Sequence, residues 1–297
     1  MKYLHKWLQF IIKRFNPFSY SVMIFVFFGA HYVLYLNFLK QKILFDFQTI
    51  LYTTPLLLAV FLFFFKLRLF DEVKDIEFDA IHHPERPMPR GILGKDDILN
   101  ATFIIIVLEI LLFSLYGLWA LVSGVIVVSY SLVMYKEFFL KKWLRAHLTT
   151  YAVTHTFIVI FISTTIFSAL FDEPLTKISP DLIYFSFGGW FLFNIFEFSR
   201  KTFTQNEERE GIDSYSKIFG KFGAVLLVLT MAILSIVCMS RVIHFTVSSP
   251  LFLWLGVIVG TGFLYAIFDQ PYLAKTYRLI APLYIIFTYG VIIILQF

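Results

Sequence analysis

Residues 46–79 read DFQTILYTTPLLLAVFLFFFKLRLFDEVKDIEFD, an apolar run that passes directly into a burst of charge. The apolar part, 46–66, is long enough to cross a bilayer. A helix rising about 1.5 Å per residue needs roughly 20 apolar residues to span a ~30 Å hydrocarbon core. Eight further segments of this kind lie near 17–36, 98–115, 117–135, 148–170, 181–199, 219–239, 250–268 and 279–297. The break at Tyr116-Gly117 separates the third and fourth of the nine so briefly that they should form a tight helical hairpin. Such continuous runs exclude the alternating strands of a membrane barrel. The expected fold is an all-α membrane protein, a bundle of about nine transmembrane helices.

Composition agrees. The chain is 59% apolar and only 15% charged, with a mean hydropathy of +0.79, whereas a soluble domain carries about a quarter charged residues. All of its 25 Lys and Arg except Lys40, Lys42, Lys177 and Arg241 fall in the N-terminal tail or in the loops 66–97, 136–147, 200–221 and 269–278. The positive-inside bias then puts the N-terminus and those loops in the cytoplasm. The formal charge of +5 fits loops that meet anionic membrane lipid, and nothing points to nucleic acid. Cys238 is the single cysteine and lies inside an apolar span, so there is no disulfide framework. The basic N-terminus followed by 17–36 resembles a signal peptide, but the apolar run is too long and no small-residue cleavage site follows it.

The acidic residues are not scattered. Thirteen of the 20 Asp and Glu lie in two regions. Asp71, Glu72, Asp75, Glu77, Asp79, Glu85, Asp96 and Asp97 make up one; Glu197, Glu207, Glu208, Glu210 and Asp213 make up the other. The positive-inside bias concerns Lys and Arg, so it gives acids no reason to gather. If the second span's helix continues, Glu72, Asp75 and Asp79 share one face. Carboxylates so placed repel one another unless a cation lies among them. Oxygen-only ligands at a cavity mouth suit Mg²⁺, which keeps waters and is completed by substrate phosphate; Arg68 and Lys74 could neutralise them instead. The stretch His82-His83-Pro84-Glu85-Arg86-Pro87-Met88-Pro89-Arg90-Gly91 is a stiff extended turn. It would hold Arg86 and Arg90 near the acids, where a guanidinium can grip phosphate. No Cys or further His stands nearby to complete a zinc site.

In the second region Asn194 and Glu197 are one turn apart at the membrane edge, with Arg200 and Lys201 a turn further on. That mixture suits a site holding both a phosphate and a cation; a helix end whose charges pair locally is the bland reading. Glu109, inside the third span, is either a satisfied interior group or a polar contact for an acceptor, since an ionised carboxylate there costs about 2.5 kcal/mol or more. Lys136 ends the fourth span as a snorkelling anchor or a diphosphate ligand. His155 and His244 read as packing or interface residues.

On these residues the chain resembles the UbiA superfamily of intramembrane prenyltransferases. The family's first motif, N-D-x-x-D-x-x-x-D followed by R-P-x-x-x-G, corresponds to Asp71-Glu72-x-x-Asp75-x-x-x-Asp79 and Arg86-Pro87-x-x-x-Gly91. The family's second motif, D-x-x-x-D, appears as Glu197-x-x-x-Lys201, with a cation where a second metal ligand is expected. Either Glu207, Glu208, Glu210 or Asp213 supplies that carboxylate, or Lys201 grips the diphosphate, or catalysis is altered or lost. The resemblance implies one UbiA-like transmembrane domain over 1–297, an integral multi-pass protein with its site facing the cytoplasm. It further implies Mg²⁺-dependent transfer of an isoprenyl group from an allylic prenyl diphosphate to a lipophilic acceptor. Asp71, Glu72, Asp75, Asp79 and Glu197 would hold metal, with Glu72, Asp75 and Asp79 catalytic. Arg86, Lys136, Arg200 and Lys201 would bind diphosphate, with Asn194 a further candidate. Two rivals remain. One is a terpene cyclase that performs the same ionisation without an acceptor; the other is a non-catalytic transporter or scaffold.

Overall fold

The structure, a computed structural model, describes residues 2–42, 46–244 and 249–296. In chain order the α-helices are α1 (Lys2–Arg14), α2 (Pro17–Phe38), α3 (Phe47–Lys74), α4 (Ile76–His82), α5 (Lys95–Ser114), α6 (Leu118–Tyr135) and α7 (Lys141–Ala146). They continue as α8 (Leu148–Thr156), α9 (Ile158–Phe171), α10 (Pro180–Arg200), α11 (Tyr215–Met239), α12 (Pro250–Phe268) and α13 (Pro271–Leu295). Among the described residues nine helical stretches are long and apolar enough to cross a membrane, α8 and α9 together making one of them. The expected all-α bundle is the fold observed.

Local chemistry sets where the spans begin. Four of them, α2, α10, α12 and α13, start on a proline, where the missing N–H costs nothing and the fixed φ suits a first helical turn. Asn16 caps α2 by accepting from the N–H groups of Phe18 and Ser19, both at 3.1 Å. Asp46 caps α3 through the Thr49 N–H at 2.7 Å. These signals correct two expectations. The ninth span begins at Pro271 instead of 279, so the expected loop 269–278 shrinks to Asp269 and Gln270. The helix of the second span does run beyond residue 66, but it stops at Lys74 and α4 resumes at Ile76. Asp75 at the joint has φ −99° and ψ 6°. The α5–α6 hairpin forms as expected; its turn uses Gly117 at φ 94°, where a side chain would also collide with the Asp172 carboxylate.

Helix α10 lies at the centre, packed on α8, α9, α11 and α13, while α3 lies along α5 and α6 along α9. Aromatic rings fill the middle. Phe64 and Phe193 stack with centroids 5.8 Å apart, and Phe27 meets Phe64, Phe193 and Tyr289 edge-on. Polar groups in this interior are mostly paired. His31 Nδ1 faces the Phe27 carbonyl at 2.7 Å, an acceptor only, so Nδ1 carries the proton and Nε2 accepts from Ser163 at 2.6 Å. Ser163 in turn meets Ser186 at 2.7 Å. Glu109 pairs with Lys66 at 2.5 Å, both side chains fully buried between α3 and α5. Glu109 is therefore a paired interior group, and removing either partner would strand a charge in the bundle.

Candidate active site

The two acidic segments emerge at the same end of the bundle, from the ends of α3 and α10. Helical spacing sends the first segment's carboxylates two ways. Glu72 and Asp79 turn towards arginines. Arg14, the last residue of α1, donates to Glu72 at 2.7 Å and lies 3.9 Å from Asp79. Arg68 also pairs with Glu72, and Arg86 donates to Asp79 at 2.5 Å. Both carboxylates are buried, with side chains 0% and 2% exposed. The expectation that Glu72, Asp75 and Asp79 share one open face is corrected. The helix breaks at Asp75, and the outer two are covered by guanidinium groups.

Asp71 and Asp75 turn the other way, one turn apart. The Asp71 side chain is 48% exposed and touches Lys74 at 3.2 Å. Burial pushes the Asp75 carboxyl above the ordinary carboxylate range, and the charges of Asp71 and Asp79 push it the same way against the pull of Lys74 and Arg145. Across from them stand Arg200 and Lys201. Arg200 lies within electrostatic range of Asp71, and Lys201 within range of Asp75. Lys201 is pushed below the ordinary lysine range, first by burial and then by Arg200, while Glu197 opposes the shift. Glu197 is held between the two, 2.6 Å from Arg200 and 3.3 Å from Lys201. Its charge is thus neutralised locally, and the pair of cations remains as the face presented to Asp71 and Asp75.

The loop after α10 serves a different purpose. Glu207 grips Arg278 of α13 through two hydrogen bonds at 2.6 and 3.0 Å and accepts from the Thr204 N–H at 3.1 Å. Glu208 accepts from the hydroxyls of Ser214 and Ser216 at 2.5 and 2.7 Å. Glu210 and Asp213 are exposed. Among the described residues none of the four makes a hydrogen bond or ion pair to Asp71, Asp75, Arg200 or Lys201. Asn194 is buried and bonded to Thr156 at 2.9 Å and to the Trp190 carbonyl at 2.9 Å, which makes it a bond between α8 and α10.

Lys136 is exposed, over the Tyr135 ring at 5.2 Å. Beyond it Glu137, Phe138 and Phe139 all have positive φ, 50°, 52° and 59°, a left-handed turn costing about 1 kcal/mol or more per residue. Glu137, buried in that turn, receives two hydrogen bonds from Arg145 at 2.8 and 3.0 Å. Arg145 is thereby brought within range of Asp75, a placement the linear order of the loop concealed. His155 stacks on Tyr151 at 3.9 Å, a packing role. The larger omission is Arg14. The amphipathic pattern of residues 2–14 is visible in the sequence, but not its reach to a carboxylate 58 positions away.

The donor set can be tested against a metal. Among the described residues no group of three or more His, Cys, Asp or Glu side chains stands gathered, and Glu197 is satisfied by its own neighbours. Asp71 and Asp75 are different. They are hard oxygen donors beside one another, Asp75 is disfavoured as an anion where it stands, and Glu72 Oε2 is buried without a partner. That arrangement fits one hard divalent cation and offers little for a second.

Carboxylates of one segment and cations of the other thus come together at one end of a bundle whose helices are long and apolar enough to cross a membrane. The chain belongs to the UbiA prenyltransferase family, whose sequence model matches residues 19–289. Among solved structures it is similar to a digeranylgeranylglyceryl phosphate synthase in membranes, at 18% identity and a TM-score of 0.58. The match covers 100% of this chain and 99% of that one, so the fold is shared over its whole length. No curated protein matches.

Proposed function

We propose that the chain, acting as one domain over 1–297, transfers an isoprenyl group from an allylic prenyl diphosphate to a lipophilic acceptor. The observation that carries this reading is that Arg200 and Lys201 at the end of α10 come within electrostatic range of Asp71 and Asp75 at the end of α3, at one end of a bundle with an aromatic interior. An allylic diphosphate has the matching shape, an apolar tail and a polyanionic head. Arg200, Lys201 and Arg145 would bind the head, and the fixed cations stabilise the charge that grows on it as the allylic C–O bond breaks. Mg²⁺ would be held by Asp71 and Asp75, and when bound it neutralises leaving-group charge. Both electrons of the broken bond leave with diphosphate. The aromatic interior of the bundle would shield the allylic cation from water, and the faces of aromatic rings attract positive charge. The acceptor's nucleophilic atom then bonds to the prenyl carbon and gives up its proton to the released diphosphate. Glu72 and Asp79, with Arg14, Arg68 and Arg86, stiffen the helix end that carries Asp71 and Asp75.

The test is diphosphate release by purified protein supplied with geranyl, farnesyl or geranylgeranyl diphosphate and Mg²⁺, with and without an acceptor. Acceptors would include a membrane lipid extract and geranylgeranylglyceryl phosphate, the latter chosen from the name of the similar synthase. Release that requires an acceptor supports transfer. Release without one, yielding a cyclic product, would replace transfer with cyclisation. Silence in every combination would refute catalysis on these substrates.

A further inference from the structure

Helix α1 has three faces. Trp7, Phe10 and Ile11 pack onto Leu69, Leu93, Ile98 and Ile105, and Arg14 on the same side reaches Glu72 and Asp79. Next around the helix, Leu4, Leu8 and Ile12 recur every four residues and are 66%, 48% and 64% exposed. His5, Lys6, Gln9 and Lys13 fill the remaining arc, with Lys6 and Lys13 exposed. A helix packed on protein along one side and solvated along the other has no use for the middle stripe. Only Phe15 and Asn16 separate α1 from the membrane span α2, so the stripe lies at the height of the bilayer surface. The helix also precedes the part of the chain that the family pattern covers, residues 19–289.

We infer that α1 is an interfacial helix docked in the leaflet at the charged end of the bundle. Leu4, Leu8 and Ile12 enter the acyl boundary, while Lys6 and Lys13 on the opposite arc face water within about a Debye length of the anionic headgroups. The occupant of the stripe is lipid and not a second protein, because a helix joined to a membrane span through Phe15 and Asn16 alone carries its exposed apolar stripe at the height of the leaflet, with its exposed cations on the arc turned away from it. The docked helix makes Arg14 a positioning residue, since the same rigid element that rests in the leaflet holds the guanidinium on Glu72 and Asp79. The lipid surface is thereby joined to the helix end that bears Asp75.

The experiment places a nitroxide at Leu8→Cys or Lys6→Cys in full-length protein carrying Cys238→Ser, reconstituted in vesicles of phosphatidylcholine with or without phosphatidylglycerol. Collision with oxygen, which enters the bilayer, is compared with collision with a water-soluble nickel chelate. The expected oxygen-to-chelate ratio is roughly fivefold higher at position 8 than at position 6, and phosphatidylglycerol should raise it further at position 8. Equal chelate access at both positions would put α1 in water and overturn the inference. Shielding from both reagents, with broadening of the spectrum that disappears when labelled protein is diluted with unlabelled protein, would assign the stripe to a second copy. A ratio indifferent to phosphatidylglycerol would remove the anionic headgroup from the proposal.

Discussion

The stretches Asp71–Asp79 and Glu197–Asp213 each carry five carboxylates but are neutralised in opposite ways. In the first, counter-charges come from afar: Arg14 from α1 and Arg86 from the turn after α4 converge on Glu72 and Asp79, with Arg68 assisting from within α3. In the second, Glu197 is satisfied by Arg200 and Lys201 on its own turn, and Glu207 and Glu208 fasten a loop. Acid density is thus no guide to chemical role. The informative carboxylate is Asp75, which burial and its acidic neighbours disfavour as an anion; Asp71 beside it is already paired with Lys74. The partner segment contributes cations to that pair more than it contributes acids.

The sharpest way to break this contrast is Asp75→Ala. If Asp75 carries the chemistry together with Asp71, turnover should fall roughly 10³-fold, the scale of losing a principal electrostatic group in an active site. The protein should still survive detergent extraction as a monodisperse species. Full activity in a prenyl diphosphate assay would sink the assignment of the first segment. Next in size is Glu72→Ala, which strips Arg14 and Arg68 of their shared partner. A broken buried ion pair costs about 3–5 kcal/mol, but these guanidinium groups keep some solvent, so about 2 kcal/mol is expected. Thermal unfolding in detergent would read it, and a Tm unchanged from wild type would mean that the arginine cluster is solvated in practice.

Much of this fold was legible because hydropathy over some twenty residues is set by the solvent, and lipid leaves little choice. The nine spans and the Tyr116-Gly117 hairpin followed from that alone. Boundaries were legible only where a local signal was weighed. Pro271 opens the last helix well before its apolar core, and a hydropathy window passes over it. The site was legible as an address but not as a geometry. Spacing grouped Glu72, Asp75 and Asp79, yet it could not reveal a helix break at Asp75 or arginines arriving from another helix. Tertiary pairing of that kind leaves no local trace in a single sequence. Glu207 illustrates the same limit, since its partner Arg278 sits 71 positions downstream.

The second segment's cations can be sharpened by Lys201→Asp. If Lys201 holds the diphosphate, kcat/KM should drop roughly tenfold, the worth of one partly buried charge contact of about 1.4 kcal/mol. A rise would mean that Glu197 and Lys201 form a crippled metal site that an acid repairs. The pH profile offers a second reading. Burial and Arg200 hold Lys201 below the ordinary lysine range, so its charge is lost at lower pH than that of a free lysine. Wild-type diphosphate affinity should therefore weaken early on the alkaline side, and Lys201→Arg should move that limb to higher pH. An alkaline limb identical in the two proteins would separate Lys201 from the diphosphate.

The smallest effect expected is at Glu207, and it asks whether the second segment really divides into a site half and a structural half. Hydrogen bonds from Arg278 hold the Glu207 carboxyl below its ordinary range. A carboxyl depressed on folding adds stability above its unfolded pKa and loses it as pH falls through the lower, folded value. Wild-type Tm should therefore decline on acidification below about pH 4.3, the ordinary glutamate value, and Glu207→Gln should lack that part of the decline. At neutral pH the variant should lose about 1 kcal/mol or less, because both side chains retain some solvent contact. Its diphosphate release should match wild type, since Glu207 and Arg278 fasten α13 to the loop without meeting Asp75. If activity instead falls as far as in Lys201→Asp, the fastening itself sets Lys201 against Asp75. The second segment would then be a single functional unit, and the contrast drawn between its halves would fail.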